Sequence, residues 1–111
     1  MSKWKYKLES GVNLRKAIDD DNNELTLDAL AECYKEIHKL IPEAYGKYEL
    51  ENDLDEIENQ KDNLENHDEY EMSLKDCEDA INYLLRDFYD FCDAYRIWVK
   101  TDAERAQEIN R

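Results

Sequence analysis

The chain has 111 residues, with 29 Asp and Glu against 15 Lys and Arg, a formal charge of -14 and a pI near 4.4. That length suits one domain, and hydrophobic and aromatic shares of 41% and 11% argue against a disordered tail even though 40% of residues are charged. Two glycines and one proline supply little for the turns of sandwiches, barrels or doubly wound sheets, which leaves a mainly α protein, a small bundle of three to five helices. No apolar run approaches the roughly 20 residues of a membrane span, and Met1 to Ser10 lacks the apolar centre of a signal peptide. A cytoplasmic protein with no membrane partner is therefore expected.

The charge is segregated along the chain. Residues 1–16 carry Lys3, Lys5, Lys7, Arg15 and Lys16 against Glu9 alone, a local +4, leaving 28 acids against 10 bases in residues 17–111. Lys3 to Leu8 alternate at period 2, as in a half-buried strand. Such a segment is either a basic extended arm over residues 1–10 packed on the bundle, or part of a two-stranded hairpin. Its mate would then be Tyr95 to Thr101, where Arg96, Ile97, Trp98 and Val99 have strand-like composition. The arm is expected.

Leu14, Ala17 and Ile18 suggest a short helix over 12–20. Leu27, Leu30, Tyr34, Ile37 and Ile41 recur at spacings of three and four, the core face of a helix over 26–41 that Thr26 caps and Pro42 stops. Leu50, Leu54, Ile57 and Leu64 repeat the pattern over 49–66, with Lys61 in one core-facing slot. Ser73 and Asp76 form a capping-box pair that opens a long helix over 74–98, striped by Leu74, Cys77, Ile81, Leu84, Phe88, Phe91 or Cys92, Tyr95 and Trp98. Thr101 and Glu104 open a last helix over 102–109. The shared spacing is what antiparallel helices packing side by side require.

No catalytic or metal motif is present. Cys33, Cys77 and Cys92 are odd in number and contain no Cys-x-x-Cys pair; Cys77 and Cys92 fall on the core stripe, and Cys33 lies beside it. His38 is five residues from Cys33 and about 140° around the helix, so the two do not make a local dyad. His67 sits among Glu65, Asp68 and Glu69, the composition of a solvated loop. Asp19, Asp21 and Asn23 begin a calcium-loop pattern that fails at Glu24 and Leu30. Gly11 and Gly46 are isolated, so there is no glycine-rich phosphate loop. The chain is read as a non-enzyme without cofactors.

The remaining feature is the placement of carboxylates. Between Glu49 and Glu71, 11 of 23 residues are acidic and Lys61 is the only Lys or Arg. Glu51, Asp55, Glu58, Asp62 and Glu65 recur at spacings of four and three, a row one residue off the apolar stripe and about 21 Å long at 1.5 Å per residue. Neighbours on it lie about 5–6 Å apart, a spacing of the same order as successive phosphates on a DNA strand. Asp76, Asp79, Asp87 and Asp90 form a second row, interrupted by Tyr83 and accompanied by Arg86. One explanation is a solvated acidic face. The other is a face that occupies the basic groove of a nucleic-acid enzyme, with Tyr45, Tyr48, Tyr70 or Tyr83 as aromatic anchors.

In size, acidity, helical character and carboxylate rows, the chain resembles the DNA-mimic inhibitors carried by phages and mobile elements, of anti-restriction and anti-CRISPR type. The resemblance covers the rows within residues 49–93 and includes no sequence motif. It implies a phage protein, in the cytoplasm of a bacterial host cell, that binds a basic nucleic-acid-binding enzyme such as an RNA-guided nuclease or restriction enzyme and blocks its access to DNA. The +4 start departs from a uniformly acidic mimic. Direct binding to nucleic acid is disfavoured by the charge. An immunity or antitoxin protein against a basic toxin would use the same electrostatics. A homodimeric adaptor would instead use the apolar stripe of residues 74–98, so both monomer and homodimer remain open.

Overall fold

The computed structural model describes residues 3–99. The order of elements is β1 (Tyr6–Leu8), α1 (Gly11–Asp19), α2 (Asn23–Leu40), α3 (Lys47–Glu65), α4 (Leu74–Ala94) and β2 (Ile97–Val99). The protein is mainly helical, as expected. The expected 102–109 helix and its Thr101 and Glu104 lie outside the described residues.

Helix α2 is central: it packs against α1, α3, α4 and β1. Its stripe residues Leu27, Leu30, Tyr34, Ile37 and Ile41 are all buried, as are Ile57 of α3 and Cys77, Ile81, Phe88 and Cys92 of α4. Aromatic rings fill the middle of this core: Tyr34 meets the edge of Phe88 at 5.4 Å and stacks on Tyr45 at 5.9 Å. Glu36 on α2 fixes the start of α1, because its carboxylate accepts from the Glu9 and Ser10 backbone N–H groups at 2.9 and 2.8 Å and from the Ser10 hydroxyl at 2.6 Å. A carboxylate at a helix N-terminus satisfies groups that have no partner within the helix.

Several local details differ from the sequence expectation. Helix α2 starts three residues early, because Asn22 is its cap and accepts from the Leu25 N–H at 3.0 Å. Thr26 lies inside the helix, buried, with its hydroxyl donating to the Asn22 carbonyl at 2.7 Å. Ser73 does cap α4, accepting from the Asp76 N–H at 3.0 Å. That helix stops at Ala94, four residues before Trp98. Tyr95 closes it, Arg96 turns the chain in the left-handed region at φ 60°, and Ile97–Val99 leave as a strand.

The N-terminal segment is correspondingly a strand. β1 pairs with β2 in register Tyr6 to Ile97, Lys7 to Trp98 and Leu8 to Val99. The pair is parallel, so it is not a hairpin, and the four helices lie between its strands in sequence. Leu8 is fully buried, which an arm resting on the surface would not require. Cys33, placed beside the stripe by its sequence position, is fully buried, and Leu74 at the head of the α4 stripe is exposed.

Candidate acidic interaction surface

Helix α3 runs 19 residues from the Gly46 cap, long enough to carry the five-carboxylate row without interruption. Ile57 faces the core, Leu50, Leu54 and Leu64 are half-buried beside it, and Glu51, Asp55, Glu58, Asp62 and Glu65 are all exposed. The one-residue offset from the stripe rotates the row about 100° away from the core, far enough to leave every member in water.

Among the described residues two lysines reach the row. Lys47 reaches Glu51 at 3.9 Å, and Lys61 reaches Glu58 at 4.0 Å while its stronger contact, 2.7 Å, is to Asp28 on α2. The bonded Asp28 carboxylate raises the Lys61 ammonium above its ordinary pKa. At the far end Asp62 accepts from the Tyr70 hydroxyl at 2.9 Å and from the Asn66 side chain at 2.8 Å. Asp55 and Glu65 make neither an ion pair nor a hydrogen bond through their side chains among the described residues.

On α4, Asp76, Asp79, Asp87 and Asp90 are exposed, with Tyr83 between them 64% exposed. Only Asp79 is paired among the described residues, to Lys75 at 3.2 Å. The two rows do not merge into one face. Lys61, which borders the α3 row, bonds across to α2, so the row lies on the α2 side of α3. Asp53 is two residues before Asp55 and hence about 160° around the helix, and its carboxylate feels Asp87 of α4. Helix α4 therefore meets the opposite flank of α3.

Of the tyrosines offered as anchors, Tyr48, Tyr70 and Tyr83 are exposed, but Tyr45 is buried. Its ring packs against Tyr34 and Phe91, and its hydroxyl donates to Asp53. Burial and this carboxylate push the Tyr45 phenol well up. Asp53 itself is raised, first by burial, then by Asp87, Glu49 and Glu56, against the lowering effect of the Tyr45 hydrogen bond. Asp53 is the functional-looking residue that the row pattern passed over. Its signal was present: it stands three residues after Leu50 and four before Ile57, on the edge of the apolar stripe.

No family model, curated protein or solved structure matches this chain. The chemistry of the site therefore rests on its own residues. Burial pushes the Cys33 thiol up and the Cys92 thiol to about 12, so neither presents a thiolate at neutral pH. His38 Nδ1 is 3.0 Å from the Tyr45 carbonyl, and His67 Nδ1 is 3.2 Å from the Met72 carbonyl and 3.3 Å from Asp68. Among the described residues no group of three His, Cys, Asp or Glu side chains is placed to hold a metal ion. What the α3 face offers is a line of fixed negative charge with tyrosines near both ends, Tyr48 one turn before Glu51 and Tyr70 bonded to Asp62.

Proposed function

We propose that the chain is a non-catalytic acidic binding protein that inhibits a nucleic-acid-handling enzyme by occupying its basic groove. The observation that carries this reading is the exposure of the whole α3 row, with Asp55 and Glu65 lacking any side-chain partner among the described residues. Like charges at i,i+4 weaken a helix, and surfaces ordinarily mix signs. A groove lined by Lys and Arg turns that cost into binding, because it meets the line of carboxylates as it would meet phosphates. The α4 stripe that a homodimeric adaptor would offer is spent internally, since Cys77, Ile81, Phe88 and Cys92 are buried in the chain's own core.

The test is inhibition of a nucleic-acid-cleaving enzyme captured by the protein at low salt. Inhibition should fall as duplex DNA is added in excess, since both ligands claim one groove. A variant carrying Asp55→Lys, Glu58→Lys and Asp62→Lys should keep its helical circular dichroism and lose most of its inhibition. Equal inhibition by the folded triple variant, or inhibition indifferent to DNA, would remove this reading.

A further inference from the structure

The basic N-terminal segment borders a cavity away from the α3 row. A cavity of about 490 Å³ opens between β1, the turn after α2 and the α4–β2 junction, within the size range of pockets that take small organic molecules. Lys5 and Arg96 supply two cations, Glu43 one carboxylate, Tyr6 and Tyr95 aromatic surface, and Leu40 and Pro42 part of the apolar wall. The lining is thus net positive in a chain of -14. Charges of the acidic body beyond about 8 Å are largely screened at physiological salt, so the local cations decide what enters.

Arg96 is held in place before any ligand arrives. Its backbone is left-handed, φ 60°, a conformation that costs an L residue free energy and persists where surrounding contacts enforce it. Here the Arg96 carbonyl accepts from Lys5 N at 2.7 Å and Tyr6 N at 3.2 Å, while its own N–H donates to the Asp93 carbonyl at 3.2 Å. Its Nε donates to the Lys3 carbonyl. With Nε committed to the Lys3 carbonyl, the two terminal amino groups of the guanidinium remain as a planar fork for an oxyanion. Tyr95 follows the same geometry: its ring lies 4.5 Å from Phe91, tilted by 31°, yet stays 39% exposed.

We infer that this cavity binds a small organic oxyanion, a carboxylate or phosphate group on an aromatic or apolar body. The anionic head sits on Lys5 and Arg96, and the body lies against Tyr95, Tyr6 and the wall from the α2 turn. Glu43 leaves one net positive charge, which a single anionic head neutralises. The site is independent of the α3 row and of the function proposed for it.

Calorimetry and amide NMR shift mapping with simple probes test the inference. Phenyl phosphate and phenylacetate present the two heads on one body; inorganic phosphate lacks the body and phenol lacks the charge. At least one of the first pair should saturate with shifts at Lys5, Tyr6, Glu43, Tyr95 and Arg96, and the head it prefers identifies the ligand class. Inorganic phosphate and phenol should each bind at least about tenfold more weakly, the loss of one good charged or apolar contact set. Lys5→Glu, an exposed position, should weaken the preferred probe at least about tenfold with an unchanged circular dichroism spectrum. Tyr95→Ala provides a second variant with the same expectation. No saturation by about 10 mM, a weaker affinity than any functional small-ligand site of this kind requires, would overturn the assignment. So would shifts that map elsewhere, or equal binding by the Lys5→Glu protein.

Discussion

A carboxylate half-buried between helices and facing other carboxylates holds its proton more tightly in the folded chain than in the unfolded one. Asp53 meets that description: burial raises its pKa, and Asp87, Glu49 and Glu56 add to the rise while the Tyr45 hydroxyl opposes it. Tyr34 of α2, which stacks on Tyr45, has its own phenol pushed up by burial and by Asp53. Below the unfolded value, near 3.9, both states carry the proton and the contribution to stability is complete. As pH rises through the raised folded value the native carboxylate ionises in unfavourable surroundings, and stability is lost. Asp53→Asn should therefore be more stable than the parent at pH 7, with the difference closing as the pH approaches 4. Urea unfolding of both proteins across that interval measures it; a variant less stable at pH 7 would mean that the Tyr45 hydrogen bond to a full carboxylate outweighs the burial and repulsion.

At the scale of elements, long helices announce themselves and short pairings do not. Helices α2, α3 and α4 each repeat their apolar spacing over several turns, so their cores were legible from Leu27, Ile57 and Phe88. The rows beside those stripes were legible for the same reason, since a fixed offset on a helix fixes exposure. Helix ends depend on single hydrogen bonds: Asn22 caps α2 because its side chain reaches the Leu25 N–H, whereas the Thr26 hydroxyl donates back to the Asn22 carbonyl inside the helix. The three-residue strands are too short for periodicity to decide, and their parallel pairing joins residues about ninety apart in sequence, a contact that no local pattern encodes. Asp53 stands on the stripe edge among acids of similar composition, and its hydrogen bond from Tyr45, eight residues away, is what sets it apart from the exposed row. Leu8 separates the strand from a surface arm by energy. Leu8 is fully buried in the core cluster, so Leu8→Ala should cost about 2–5 kcal/mol. Equilibrium denaturation would give well under 1 kcal/mol if residues 3–8 only rested on the bundle.

For the whole molecule, one quantity acts in opposite directions on folding and on binding. A chain of -14 repels itself when compact, and the ion pairs among the described residues are mostly exposed: Lys3 to Asp93 at 3.7 Å joins side chains 70% and 72% accessible. Added salt shortens the Debye length from about 10 Å at 0.1 M to about 3 Å at 1 M, which relieves the repulsion along α3 and α4 more than it weakens these pairs. Thermal unfolding of the isolated protein should therefore move to higher temperature as NaCl increases from about 0.1 to about 1 M, concentrations that span this change in screening. Capture of a basic partner through the α3 row should weaken over the same range, because the attraction that steers and holds opposite surfaces is screened. The pair of measurements separates the two roles of the charge. If binding and melting temperature both fell with salt, the surface pairs would be holding the fold together, and loss of binding would report unfolding. Binding that fell while the melting temperature rose would place the salt sensitivity in the interface, where the exposed carboxylates of an intact helix have their effect.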